Sequence, residues 1–103
     1  MVIADRPPEV VAPGESLSLD VHVVNDLRHE ITGAVVDVTA SWSGGTRRWR
    51  FGGDVDADEC VRVGSVSMTV PDTLGVLNVD LVLTAGDLIQ TNHYSTAITH
   101  VPD

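Results

Sequence analysis

The chain has 103 residues, with fifteen carboxylates against six arginines and no lysine, and its net charge is -9. That balance argues against nucleic acid or an anionic membrane surface as the partner, because both require clustered positive charge. The length allows one domain with a core of its own, the single cysteine, Cys60, excludes an internal disulfide, and no apolar run approaches the ~20 residues of a membrane-spanning helix.

Residues 1–8 read as a linker, with Pro7-Pro8 stiff and extended. Asp5, Arg6, Pro7 and Pro8 interrupt the start too early for a signal peptide, so the chain is expected to be soluble. Glu9 to Ala12 forms a short first strand, closed by Pro13-Gly14-Glu15, where proline sets φ and glycine accepts a positive one. The organising strand is Ser16 to Asp26. Leu17, Leu19, Val21 and Val23 fall on one side of an extended backbone, and Ser16, Ser18, Asp20 and His22 fall on the other. This alternation describes a strand with one dry face. Leu27 to Gly33 is a polar connection. Ala34 to Trp42 follows as a strand with Val36, Val38, Ala40 and Trp42 inward, and Val35, Asp37, Thr39 and Ser41 outward.

Ser43-Gly44-Gly45 marks a hairpin. Thr46 to Phe51 pairs back, with Trp49 and Phe51 on one face and Arg48 and Arg50 on the other. Gly52 to Asp58 reads as an acidic crossing loop. Cys60 to Val70 is a longer strand whose phase slips between Val61, Val63 and Val66, Met68, Val70, which predicts a one-residue bulge near Gly64-Ser65. Pro71 to Gly75 turns the chain into Val76 to Ala85, where Leu77, Val79, Leu81 and Leu83 point inward. Gly86-Asp87 is a tight turn into the last strand, Leu88 to Thr99. No window holds a 3.6-residue apolar period, so no helix is expected. The result is an all-β chain: an immunoglobulin-like β-sandwich of about seven antiparallel strands. The sandwich occupies residues 9–101, and 102–103 form a tail.

Asp54, Asp56 and Asp58 have the alternate spacing of the first ligands in a calcium loop. The glycine expected after Asp58 is replaced by Glu59, and no bidentate glutamate lies at the right distance, so a solvated acidic loop is the expectation and no metal or other cofactor is assigned. His22, His29, His93 and His100 lack close metal-ligand spacing. Asp20, Asp37 and Asp80 can be cross-strand neighbours, but on a wet strand face rather than across a cleft of the kind a two-carboxylate glycosidase needs. Cys60, with no activating neighbour in sequence, is expected to be a buried structural thiol. Trp42, Trp49 and Tyr94 could stack on sugar rings. Trp42 is in phase with the core, while Trp49, flanked by arginines, reads equally as core or as part of an open face.

The run Val23-Val24-Asn25-Asp26, closing an alternating strand after a Pro-Gly turn, resembles the V-V-N-D strand end of the non-catalytic β-sandwich domains that follow the barrel in family 2 glycoside hydrolases, particularly the β-mannosidase and exo-β-glucosaminidase branches. Asn92-His93-Tyr94 is similar to the Asn-x-Tyr that ends those domains. Gly33, the acidic loop from Asp54 to Asp58, and Pro71 after Val66-Ser67-Met68-Thr69-Val70 arrive in the same order. The resemblance runs from Pro8 to Val101. It implies an immunoglobulin-like fold and a parent enzyme that cleaves β-linked mannosides or related glycosides with retention. The parent's Asn-Glu site and its nucleophilic Glu belong to the barrel. Asn25-Asp26 is not that motif, so no catalytic residue is carried over and the segment is not expected to be an enzyme itself. Asn25 and Asn92 are left a structural role, their amides satisfying backbone groups where strands end. Two functions follow as expectations. The first is an accessory domain whose partners are other domains of the same polypeptide, including a catalytic barrel. The alternative is an autonomous carbohydrate-binding module that grips an oligosaccharide with Trp49 and Tyr94.

Overall fold

A computed structural model describes residues 1–4, 9–25 and 28–99. These residues form eight strands and, among the described residues, no helix: β1 (Val2–Ala4), β2 (Val10–Val11), β3 (Ser16–Val24), β4 (Ile31–Trp42), β5 (Gly45–Val55), β6 (Cys60–Thr69), β7 (Gly75–Ala85) and β8 (Leu88–Ile98). They make two sheets, a three-stranded one in the order β1-β3-β6 and a five-stranded one in the order β2-β8-β7-β4-β5. Every pairing is antiparallel except β2 with β8, which is parallel.

The alternation read along the chain becomes the space between the sheets. Leu17, Leu19, Val21 and Val23 of β3, Ala34, Val36, Val38 and Ala40 of β4, and Leu77, Val79, Leu81 and Leu83 of β7 are all buried. They form two adjoining clusters. One is centred on Val21, Val36, Val38, Leu81 and Leu83; the other gathers Val11, Leu17, Leu19, Ala40, Met68, Val70, Leu77 and Ile98. Each large side chain removed from water contributes about 1.5–3 kcal/mol. Without a disulfide, this apolar burial is what holds the sheets together.

Four local expectations change in three dimensions. Val2–Ala4, read as part of a linker, is a strand: Val2 pairs with Val23 and is 1% exposed. Pro7 and Pro8 lie outside the described residues, as do Asp26 and the tail. Gly52 to Val55, read as loop, continues β5, because Gly52 and Gly53 stay in register with Val35 and Ala34 of β4 and Val55 is fully buried opposite Ile31. Glycine and aspartate are poor strand formers in isolation, and here cross-strand pairing overrides that weakness. The crossing between sheets is therefore confined to Asp56 to Glu59. The expected phase slip of β6 is present one residue earlier than Gly64: Val21 pairs with Gly64 and His22 with Arg62, leaving Val63 as the bulged residue. Finally, the first strand expected at Glu9 to Ala12 is limited to Val10–Val11, which pair in parallel with Ala97 and Ile98 of β8. β1 pairs in one sheet and β2 in the other, so the chain start bridges both.

The turns are where glycine places them. Gly14 sits at φ 81° and Gly44 at φ 115°, in the left-handed region that side chains with a Cβ avoid. The N–H of Gly14 donates to the Val70 carbonyl at 2.9 Å, and the N–H of Val70 donates to Glu15 at 2.8 Å, so the Pro-Gly turn is anchored to the end of β6.

Candidate functional site

Two polar constellations lie where strands end, and both are built around asparagine. Asn25, immediately after β3, is 1% exposed. Its amide nitrogen donates to the carbonyls of His29 (2.9 Å), Val55 (3.1 Å) and Asp56 (3.1 Å). Its backbone N–H donates to the Glu59 carbonyl at 2.8 Å. One side chain thus joins the end of β3, the approach to β4 and the crossing from β5 to β6. A buried amide can hold such a position only because acceptors converge on it; an unpaired one would carry a desolvation penalty of about 1–3 kcal/mol.

The second constellation secures the chain start. The Asn92 amide donates to the Val2 carbonyl and to the Tyr94 hydroxyl, each at 3.2 Å, and the Ala4 N–H donates to that same hydroxyl at 3.2 Å. Asn92 and Tyr94 stand two apart on β8, so they share a face and reach β1 together. The Asn92 side-chain oxygen accepts from the backbone N–H of His93 at 2.9 Å. Tyr94→Phe is expected to leave the fold intact and lower stability by about 1 kcal/mol, with faster exchange of the Ala4 amide by hydrogen exchange as the local signature.

The paired aromatics do not form one surface. Trp49 sits opposite Val38, and Tyr94 opposite Val79, both buried positions, so both rings turn toward the inter-sheet side. They are on β5 and β8, with β4 and β7 between them and an offset of two residues along the strands, which places their backbones about 16 Å apart. Trp49 packs against both core clusters while the Arg47 guanidinium lies 5.1 Å above its ring. Trp42 packs beside the second cluster and is half-buried.

On the outer face of the five-stranded sheet, charges pair across strands. Arg50 Nε donates to Asp37 Oδ1 at 2.8 Å, and the bond together with the carboxylate's charge raises the arginine's pKa. His93 Nδ1 lies 2.7 Å from Asp80 Oδ1. Both pairs are well exposed, so they add little to stability. Asp37 and Asp80 are indeed neighbours in the sheet, since Asp37 faces Val82 and Thr39 faces Asp80. Asp20 is on the other sheet, where its carboxylate accepts from the Ser65 hydroxyl at 2.5 Å and lies 3.6 Å from Arg62. A shallow hollow on the β4–β5 face is lined by Asp37, Thr39, Arg48 and Arg50 with the backbone ladder at Val38 and Trp49 beneath.

The acidic triplet does not converge. Asp54 is on β5, and its carboxylate accepts from the Gly33 N–H at 2.8 Å. Asp56 supplies a carbonyl to Asn25, and Asp58 takes a left-handed backbone at φ 58°, which aspartate tolerates better than most residues. Among the described residues, no three His, Cys, Asp or Glu side chains are placed to hold a metal ion. Cys60, expected to be buried, is exposed: it pairs with Val24 on the outward side of the sheet, because the bulge at Val63 puts Val61 in the inward phase. His22 is on the outward face opposite Arg62 and Ile3.

Sequence reasoning marked Asn25, Asn92 and Tyr94 but not which backbone groups they bond. Those are main-chain carbonyls and N–H groups, which carry no residue signature. It also missed that Val2–Ala4 is what Asn92 and Tyr94 hold.

No protein-family model and no curated protein matches the chain. Solved structures similar to it include those of Spo0M and CsgH. The sporulation control protein Spo0M from Bacillus subtilis superposes with a TM-score of 0.64 at 16% identity, over 97% of this chain and 49% of that one. The solution structure of CsgH from R. palustris gives 0.46 at 18% identity, over 94% and 92%. The first likeness shows the fold, a two-sheet all-β sandwich, and the chain spans about half the length of the Spo0M structure.

Proposed function

We propose that this chain is a non-catalytic, immunoglobulin-like accessory domain that acts by holding position beside other domains of its polypeptide. The observation that carries this reading is how the distinctive polar side chains are used. Asn25, Asn92 and Tyr94 are committed to main-chain groups, where they brace strand ends and the chain start. The strand order supports the immunoglobulin-like subtype. If β1 and β2 are the two halves of one edge strand that changes sheets, seven strands remain, in the orders A-B-E and A′-G-F-C-C′ of such sandwiches. The resemblance of Val23 to Asp26 and of Asn92 to Tyr94 supports a family 2 glycoside hydrolase, of the β-mannosidase branch, as the parent. In that setting the domain would pack on the catalytic barrel and help shape the cleft.

The reading frame on both sides of these 103 codons tests it. A frame that continues into a strand-helix barrel bearing an Asn-Glu pair supports the parent; a frame closed at both ends removes it. The alternative, an autonomous carbohydrate-binding module, would use the Trp49 and Tyr94 rings to stack on sugar. With Trp49 packed on the core under Arg47 and Tyr94 hydrogen-bonded to β1, the accessory-domain reading expects tryptophan emission unmoved by β-mannooligosaccharides at millimolar concentration. A saturable shift would favour the binding module instead.

A further inference from the structure

We infer that the free edge of β5 pairs with the same edge of a second copy of this chain, joining two five-stranded sheets into one. The proposal concerns the isolated domain and is independent of which parent it belongs to.

The sheet edges differ in how they are closed. β8 is covered by β2 at Ala97 and Ile98, and the N–H of His93, which points the same way, is capped by the Asn92 side chain. β6 is interrupted by the bulge at Val63, and β1 has three residues. Bulges, caps and short strands are the usual means of preventing edge pairing. β5 is different: it is eleven residues long, forms one end of its sheet, and has no bulged residue of its own. Trp42 and Gly45 close the two-residue hairpin, so the odd-numbered residues of β5 bond β4 and the even-numbered ones turn their N–H and C=O groups outward. Arg48, Arg50, Gly52 and Asp54 are those outward residues, and all are exposed.

The order of side chains on this edge makes it complementary to itself. In an antiparallel pairing centred on Phe51, Arg48 of one copy faces Asp54 of the other, twice across the two-fold axis, and Arg50 faces the bare Gly52. On the inner face, Trp49 falls opposite Gly53, an exposed glycine that a neighbouring aromatic can cover. A shift by two residues in one direction places Arg50 against Arg50; a shift in the other sets Arg50, already bonded to Asp37, against Asp54 and leaves Arg48 opposite Asp56, beyond the end of the strand. Three of the six arginines in a chain of net charge -9 stand on this strand, which suits it to an acidic partner, and the chain itself is one. Arg48 makes no ion pair among the described residues, so it is available for the contact.

Sedimentation equilibrium of the 103-residue chain tests this, together with hydrogen exchange at low and high protein concentration. Edge pairing buries a small area, so a weak dimer is expected, dissociating between about 10 μM and 1 mM. Concentration should protect the amides of Arg48, Arg50, Gly52 and Asp54 and leave those of Arg47 and Trp49 unchanged, since these are already bonded to β4. Arg48→Asp and Asp54→Arg each oppose like charges and should weaken the dimer roughly tenfold or more. The double swap, R48D/D54R, restores the opposite-charge pairs and the dimer. Asp54 also bonds the Gly33 N–H, so R48D, which leaves that bond in place, is the cleaner single variant. A chain that stays monomeric to about 1 mM, or a dimer indifferent to both single substitutions, overturns the proposal.

Discussion

Replacing Asn25 by alanine lowers the unfolding free energy by about 2–4 kcal/mol, the range for breaking a buried polar network. The amide is buried, and its nitrogen is the donor to the carbonyls of His29, Val55 and Asp56. Truncation leaves those acceptors without it in a site too enclosed for water to replace every bond. In a domain of this length, the loss corresponds to a fall in Tm of roughly 10–25 °C. Asn25→Asp keeps the shape yet turns an acceptor oxygen toward three carbonyl oxygens, so it is expected to cost at least as much. His29→Ala provides the control. Only the backbone carbonyl of His29 takes part, and the exposed ring can be removed within about 0.5 kcal/mol. Thermal melts of the three variants check the set. An Asn25→Ala protein that melts within 2–3 °C of the parent protein, roughly half a kcal/mol at this size, would show that the clamp is dispensable.

Gly64→Ala is expected to destabilise by about 1–3 kcal/mol, the range for overpacking a core. A Cβ built at Gly64 would stand 2.3 Å from Phe51 Cδ1, 2.4 Å from Cε1 and 2.8 Å from Cγ. Because Cγ is among the close atoms, swinging the far edge of the ring does not relieve the clash; the whole side chain or the strand must move. The glycine lies beside the Val63 bulge on β6 and the phenylalanine on β5, so their contact is where the two sheets approach at this edge. Phe51→Leu vacates part of that space. The double variant should therefore lose less than the two single costs added together, with a coupling of about 1–2 kcal/mol in urea unfolding. Full additivity would place Phe51 elsewhere.

Much of the architecture was legible beforehand because it is local. The inward positions of β3, β4 and β7 follow from alternation, and those residues are the core. The turns at Pro13-Gly14, Ser43-Gly44 and Gly86-Asp87 follow from residues that accept the backbone a turn demands. Asn25 and Asn92 drew notice only through the short motifs that surround them. Their bonding could not be read, because the partners are carbonyls brought up from residues up to 90 positions away. Cys60 was misplaced for a similar reason. A lone thiol is usually buried, but its face was set by a bulge three residues further on.

Sequence alone therefore determined an all-β chain, the dry face of its long strands and most of its turns, since a period of two and a glycine's φ are properties of a few consecutive residues. Tertiary structure decided the rest. It divided the chain start between two sheets, extended β5 through Gly52-Gly53 by pairing it with β4, set the bulge at Val63, and left β5 as the long uncovered edge. Those choices depend on which remote strand offers a matching ladder. Strand pairing derives its energy from cross-strand neighbours and burial, which residues adjacent in sequence do not specify.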